Sequence, residues 1–338
     1  MPTPLWKLFV CAALAAPTPE SYRARLREIA GFDVPPDSAY DEAVRLRTAL
    51  YEPLRATGAA VFGGTPTVQE VLRRMRTDPS LVITDPDSVV AAYRRTLDVA
   101  RQRIRPLFLD APDAPLLVQA IPAAQAASAA PAGYNPASAG HLATFYVNAH
   151  QPGGIARMNI ALGVAHEAYP GHHLERLYRN ASPSAAAPGA AGEMAFTEGW
   201  GIYAEQLGDE AGLYDDPVSR LGYLVHLFDV YMALQVDIGM HARGWAWQAA
   251  VDTMEVVAAR PHAQATSYAN RHAATPGQLA SYAIGYRAIG AAREAAMRAL
   301  GDRFDRREFH EMILREGGAS LPTMRERVQA WIRERAGG

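Results

Sequence analysis

The sequence predicts a mainly α protein, and three observations carry that prediction. Apolar residues recur at three- and four-residue spacing along most of the chain, strand signal is scarce, and 338 residues with 49% hydrophobic content are enough to bury a large core. The length suits one large or two ordinary domains. With 33 basic and 35 acidic residues the formal charge is −2, which gives no field for nucleic acid or for an acidic membrane surface. The single cysteine, Cys11, excludes an internal disulfide, so stability is expected from packing, with metal binding as an optional addition.

From the N-terminus, MPTPLWKLFVCAALAAP holds an apolar run, Leu8 to Ala16, that ends in an A-x-A-like tripeptide. One lysine and a short run make a weak signal peptide, and TPESYRARLREIAGF follows at once as a capped helix, so a cytoplasmic protein is expected, with export as the alternative. No stretch reads as the ~18 apolar residues of a membrane span. Helical periodicity covers residues 20–30, 39–58, 67–76, 87–107, 217–241, 245–259, 277–300 and 305–315. ATFYVNA at 143–149 is the one strand candidate, aromatic and β-branched although without clean alternation. Two stretches rich in Ala, Pro, Ser and Gly, 122–138 and 180–192, read as linkers or surface loops. The expected organisation is a helical N-terminal region, 1–121, a linker, 122–139, and a metal-binding region, 140–338, in one continuous fold.

HEAYPGHHLE at 166–175 contains most of the zinc motif H-E-x-x-H but has Pro170 at its fifth position. In an unbroken helix His172 would be turned about −120° from His166 and raised roughly 9 Å, too far to share an ion. Pro170 and Gly171 should end the helix GGIARMNIALGVAHEAY, because proline lacks an N–H and glycine relaxes the backbone. A bulged turn there can return His172 to His166, with His173 as the competing ligand. A third ligand is expected downstream, since catalytic zinc commonly takes three protein ligands and a water. GEMAFTEGWGIYAEQL at 192–207 places Glu198 and Glu205 on one helix face and Glu193 on another. Glu198 is the expected ligand and Glu205 the group that orients an imidazole. Either fragment alone reads more readily as structural, a capped helix end or an ordinary amphipathic helix; together they form a set.

HEAYPGHHLE with GEMAFTEGWGIYAE resembles the bacterial proteins grouped as domain of unknown function 885, whose hallmark is H-E-x-x-P-G-H-H followed by E-G-W-x-x-Y-x-E. MRTDPSL at 75–81, RPLF at 105–108, FYVN at 145–148, VDIGMHARGW at 236–245, PGQLASYAIG at 276–285 and EFHEMILREGGASLP at 308–322 extend the resemblance over about residues 65–335. That family is regarded as zinc peptidases similar to thimet-oligopeptidase-like gluzincins, which implies a helical fold with a short strand or small sheet beside the active-site helix. It also implies His166, His172 and Glu198 as ligands and Glu167 as the base. The chain departs from the family pattern in a shorter N-terminal part, which argues against general proteolysis, and in Ala283 and His272, which stand where Lys and Tyr are usual and are expected near the substrate pocket.

The leading expectation is a zinc hydrolase that cleaves a peptide or small aminoacyl amide, with Glu167 as general base. His241, four residues after Asp237 and so able to be oriented by it, and Tyr282 are candidates to stabilise the oxyanion. Tyr286 and Arg271 are substrate-binding candidates, Arg271 as a carboxylate clamp. Two alternatives use the same residues: an Fe(II) enzyme with a two-histidine, one-carboxylate triad, and a metal-stabilised binding protein without catalysis. Glu167 favours the hydrolase, since neither alternative requires it.

Overall fold

The computed structural model describes residues 18–127, 129–138, 140–182, 191–315 and 320–337. The apolar run Leu8 to Ala16, Cys11 and most of the low-complexity stretch 180–192 lie outside the described residues. The chain is mainly helical with small sheets. It begins with α1 (Pro19–Ala30), α2 (Pro36–Ala49), α3 (Tyr51–Phe62), α4 (Val68–Thr77) and, after a two-residue strand β1 (Val82–Ile83), α5 (Pro86–Arg103). The start of α1 is fixed by the Thr18 hydroxyl, which accepts from the Ser21 N–H, and that of α4 by a reciprocal capping box between Thr67 and Glu70. The single helix expected over 39–58 is two, broken at Leu50. Pro53 cannot donate to the carbonyl four residues back, so a new helix must begin just before it.

Strands β2 (Leu116–Ala120), β3 (Ala132–Asn135) and β4 (Ala143–Val147) form a sheet in the order β2-β4-β3, β2 parallel and β3 antiparallel to β4. Central β4 is buried at four of its five positions, which explains why its sequence does not alternate. The expected linker, 122–139, therefore supplies a strand, and the small β5 (Ile155–Ala156) pairs with β1. Then come α6 (Met158–Glu167), α7 (His172–Ala181), α8 (Glu193–Glu210), α9 (Pro217–Ala242), α10 (Trp247–Ala258), α11 (His262–Ala274), α12 (Ala280–Leu300), α13 (Arg306–Arg315) and α14 (Leu321–Gly337). The sequence periodicity did not single out α11 or α14.

One hydrophobic core runs from Tyr22 of α1 to Trp331 of α14, so the N-terminal helices share it with the site-bearing part. Its axis is α9, which packs against α2, α3, α6 and α12. By length and composition α9 passes as a membrane span, contrary to the sequence expectation, but its most apolar window is 83% buried inside the protein, as befits a core helix. Asp229 of α9 is nearly buried and binds Arg76 of α4 and Arg260 after α10, each at 2.8 Å, which pairs a charge that would be costly alone. Helices α8 and α12 touch backbone to backbone. A Cβ on Gly199 would overlap the Gly285 backbone, so these two glycines set how near Tyr282 and Tyr286 come to α8.

Candidate metal centre

The misspelt motif is resolved by a tight reversal between α6 and α7. Helix α6 ends at Glu167, and the N–H groups of Ala168 and Tyr169 both reach the Val164 carbonyl. The Tyr169-Pro170 peptide is cis, and Gly171 passes so near α6 that a Cβ there would overlap the His166 carbonyl. Trp200 of α8, itself fully buried, donates its indole N–H to the Pro170 carbonyl at 3.0 Å. The tryptophan of E-G-W thus satisfies a backbone group that the broken helix leaves open. Its neighbour Gly201 leaves room for the His166 ring: a Cβ would lie 2.5 Å from Cε1 and 2.7 Å from Nε2.

The result brings His166, His172 and Glu198 together, with one ligand atom from each lying within 4.8 Å of the others. The two rings stand nearly perpendicular with centroids 4.7 Å apart, and the Glu198 Oε2 is 4.0 Å from His166 Nε2 and 3.8 Å from His172 Nε2. Ligands of a tetrahedral zinc, each at about 2.1 Å, stand roughly 3.4 Å apart, so the Glu198 oxygen would approach each imidazole by about half an ångström in closing on an ion. The donor set, two imidazoles and a carboxylate, fits a divalent transition metal. Glu205 is fully buried and accepts from His166 Nδ1 at 2.7 Å, which orients the ring with Nε2 facing Glu198. Burial would lower the His166 imidazole, but the hydrogen bond and charge of Glu205, with Glu167 and Glu198, push it up to about 9. His172 is held well below the usual imidazole range by burial and then by the charges of His166 and Arg176.

Burial raises the Glu167 carboxyl, against the nearby charge of His166, and the backbone of Tyr134 on edge strand β3 hydrogen-bonds it. Tyr282 of α12 lies almost parallel to the His166 ring, centroids 6.2 Å apart, with its hydroxyl bonded to Glu198. Burial and then the Glu198 charge raise that phenol far above its usual value, which keeps it a donor. Arg271 is exposed and donates to Gln278 at 3.1 Å, yet its charge reaches Tyr282. The Tyr286 hydroxyl is committed to Gln206 at 2.9 Å and also contacts Tyr223.

Other expected residues do different work. His173 turns away from the cluster: its Nδ1 meets the Tyr134 hydroxyl at 3.2 Å, its ring packs on Tyr134 and Tyr169, and burial lowers it to about 4. The orientation of His241 by Asp237 is corrected. Asp237 instead accepts from Tyr22, from His272 Nδ1 and from the Gly277 N–H, and His241 Nε2 donates to the His272 carbonyl at 3.0 Å. His241 is a packed residue against Tyr22, since its partners lie outside the metal cluster. Nor do Ala283 and His272 line that cluster. Ala283 faces a mainly apolar cavity between α2, α12 and α14, and His272 is buried on Asp237. Sequence reasoning missed His226 of α9, whose Nδ1 donates to the second oxygen of Glu205 at 2.8 Å. A lone polar residue inside the apolar run LGYLVHLFD was the available signal.

The family described as "Bacterial protein of unknown function (DUF885)" matches residues 12–328. The chain belongs to this family. The match starts well upstream of residue 65, so α1 to α3 are part of the DUF885 fold as well. Among solved structures the chain is similar to a "putative lipoprotein" from Colwellia psychrerythraea, with a TM-score of 0.84 and 22% identity over 94% of this chain and 55% of that one. It is also similar to a "putative lipoprotein of unknown function" from Shewanella oneidensis, with a TM-score of 0.76 and 22% identity over 92% of this chain and 59% of that one. The chain thus spans little more than half the length of these two proteins, and at such identity the likeness establishes the fold. No curated protein matches. The expected cytoplasmic location is corrected on this ground, because these two structural neighbours are described as putative lipoproteins, which conflicts with it.

Proposed function

We propose that this DUF885 protein is a zinc-dependent hydrolase of peptide or small aminoacyl amide bonds, related in its site to the gluzincin peptidases. The observation that carries this reading is the convergence of His166, His172 and Glu198 with a buried carboxyl, Glu167, directly after the first ligand. When bound by these three side chains, zinc would supply a water of pKa near ~7 and polarise the scissile carbonyl. Glu167 takes a proton from the attacking water and passes it to the amine nitrogen as the C–N bond breaks. Its burial, which raises the carboxyl towards neutrality, suits both halves of that transfer. Tyr282, a persistent donor beside the cluster, turns its hydroxyl from Glu198 to the developing oxyanion. Arg271, exposed and electrostatically linked to Tyr282, holds a substrate carboxylate.

A buried general base favours hydrolysis over iron and oxygen chemistry, which has no general need for one. The reading is tested by metal analysis of purified protein followed by assay on dipeptides, aminoacyl amides and N-acyl amides. One zinc per chain with hydrolysis of at least one class is expected. Protein that takes up no zinc, or zinc-loaded protein inert on the whole panel, would overturn it.

A further inference from the structure

We infer that His226 is a positioning residue that fixes the metal-facing edge of His166 through Glu205. The inference rests on the reading of His166 as a metal ligand and concerns what holds that ligand still. Glu205 is fully buried on α8 and has both carboxylate oxygens occupied: Oε1 by His166 Nδ1 at 2.7 Å and Oε2 by His226 Nδ1 at 2.8 Å. A carboxylate bonded at one oxygen can turn about its terminal torsion, which is a soft sp³–sp² rotor. Two ring N–H groups, from α6 and from α9, fix its plane.

Position decides which kind of role this is. Glu205 meets the Nδ1 edge of His166, whereas Glu198 approaches Nε2, so His226 sits behind the ligand rather than among the reacting atoms. The ring centroids of His166 and His226 are 6.5 Å apart. His172 has no equivalent support: its Nδ1 is buried without a hydrogen-bond partner among the described residues. Among the described residues, hydrogen-bonded orientation of the cluster's imidazoles therefore runs through Glu205. Without His226 one oxygen of a buried carboxylate is left unpaired, and the cheapest relaxation is a rotation that also disturbs its bond to His166.

The test compares wild type with His226→Ala and His226→Asn, whose amide N–H stands close to where Nδ1–H was. Two readouts are needed: zinc affinity by competition with a chromophoric chelator, and ¹⁵N-histidine NMR of metal-free protein, with the His166 signal assigned by its loss in His166→Gln. His226→Ala should weaken zinc by about 10–100-fold, as loss of an outer partner of a metal-bound histidine typically does. It should also erase the Nδ1–H signature of His166, and His226→Asn should restore both. If His226→Ala keeps the zinc affinity and the Nδ1–H signature of wild type, or if Asn is as weak as Ala, the positioning role is overturned. A wild type that takes up no zinc would instead refute the metal reading, and the NMR comparison would still decide whether His226 holds the bond from His166 Nδ1–H to Glu205.

Discussion

Gly201→Ala should separate metal binding from folding. The added Cβ would lie 2.5 Å from His166 Cε1, 2.7 Å from Nε2 and 3.0 Å from Nδ1, where ordinary carbon contacts are about 3.5–4.0 Å. Relief requires the ring to move by roughly 1 Å, while a metal site tolerates about 0.2 Å in its ligand distances. Zinc affinity should therefore fall by on the order of 10²-fold or more, at least the loss seen when a partner behind a ligand is removed. The fold should survive. Alanine is favoured over glycine in a helix by about 1 kcal/mol, which offsets part of an overpacking cost of about 1–3 kcal/mol. Chelator-competition titration and thermal melting of the metal-free protein measure the two effects, with Gly290→Ala as the control, since nothing lies within 4 Å of a Cβ there. Gly201→Ala protein that binds zinc within a few-fold of wild type would refute the packing argument.

His310 gives a prediction in acid. Burial lowers it to about 4, and its neutral form is satisfied, Nδ1 donating to the Leu107 carbonyl and Nε2 accepting from Tyr203. The unfolded chain takes up this proton near pH 6.5 and the folded chain does not, so stability should fall as pH drops from 6.5 to 4, by about 3 kcal/mol from this group. Thermal melts across that window should show a shallower decline for His310→Gln, and an identical decline would contradict the assignment. Arg271→Ala should reduce kcat/KM for a substrate carrying a free carboxylate and spare its amide, since only the charged form makes the paired contact; equal losses on both would remove the clamp. Tyr282→Phe should lower kcat on both substrates with KM nearly unchanged, and an unaltered kcat would return the tyrosine to a supporting role on Glu198.

Much of the site was legible because the residues that build it act over short sequence distances. Pro170 and Gly171 announce a helix break, and the seven-residue spacing of Glu198 and Glu205 places both on one face, so their meeting with His166 needed only that α6 and α8 pack together. Residues fixed by long-range contacts were harder to see. His226 meets Glu205 only because α9 lies against α8; its own helix shows an isolated polar residue in an apolar run but not the partner it meets. Asp237 looked like the partner of His241 by i, i+4 spacing, yet Tyr22, His272 and Gly277 converge on it from distant segments. The same distinction holds for the fold. Strand β3 has the weak strand sequence AGYN inside an alanine-rich stretch, and its register comes from β4. Pro53, by contrast, marked the break between α2 and α3 locally and was overridden by the longer apolar periodicity around it.

The central claim is that Glu167 is the base of a metal-dependent hydrolase, and it is tested most directly by turnover of Glu167→Gln on whichever amide the wild type cleaves, with zinc measured in the same samples. Equal zinc content, together with a kcat lower by on the order of 10²-fold or more, is predicted, because the substitution removes the proton acceptor and no ligand. Hydrolysis near the wild-type rate by fully zinc-loaded Glu167→Gln would contradict it.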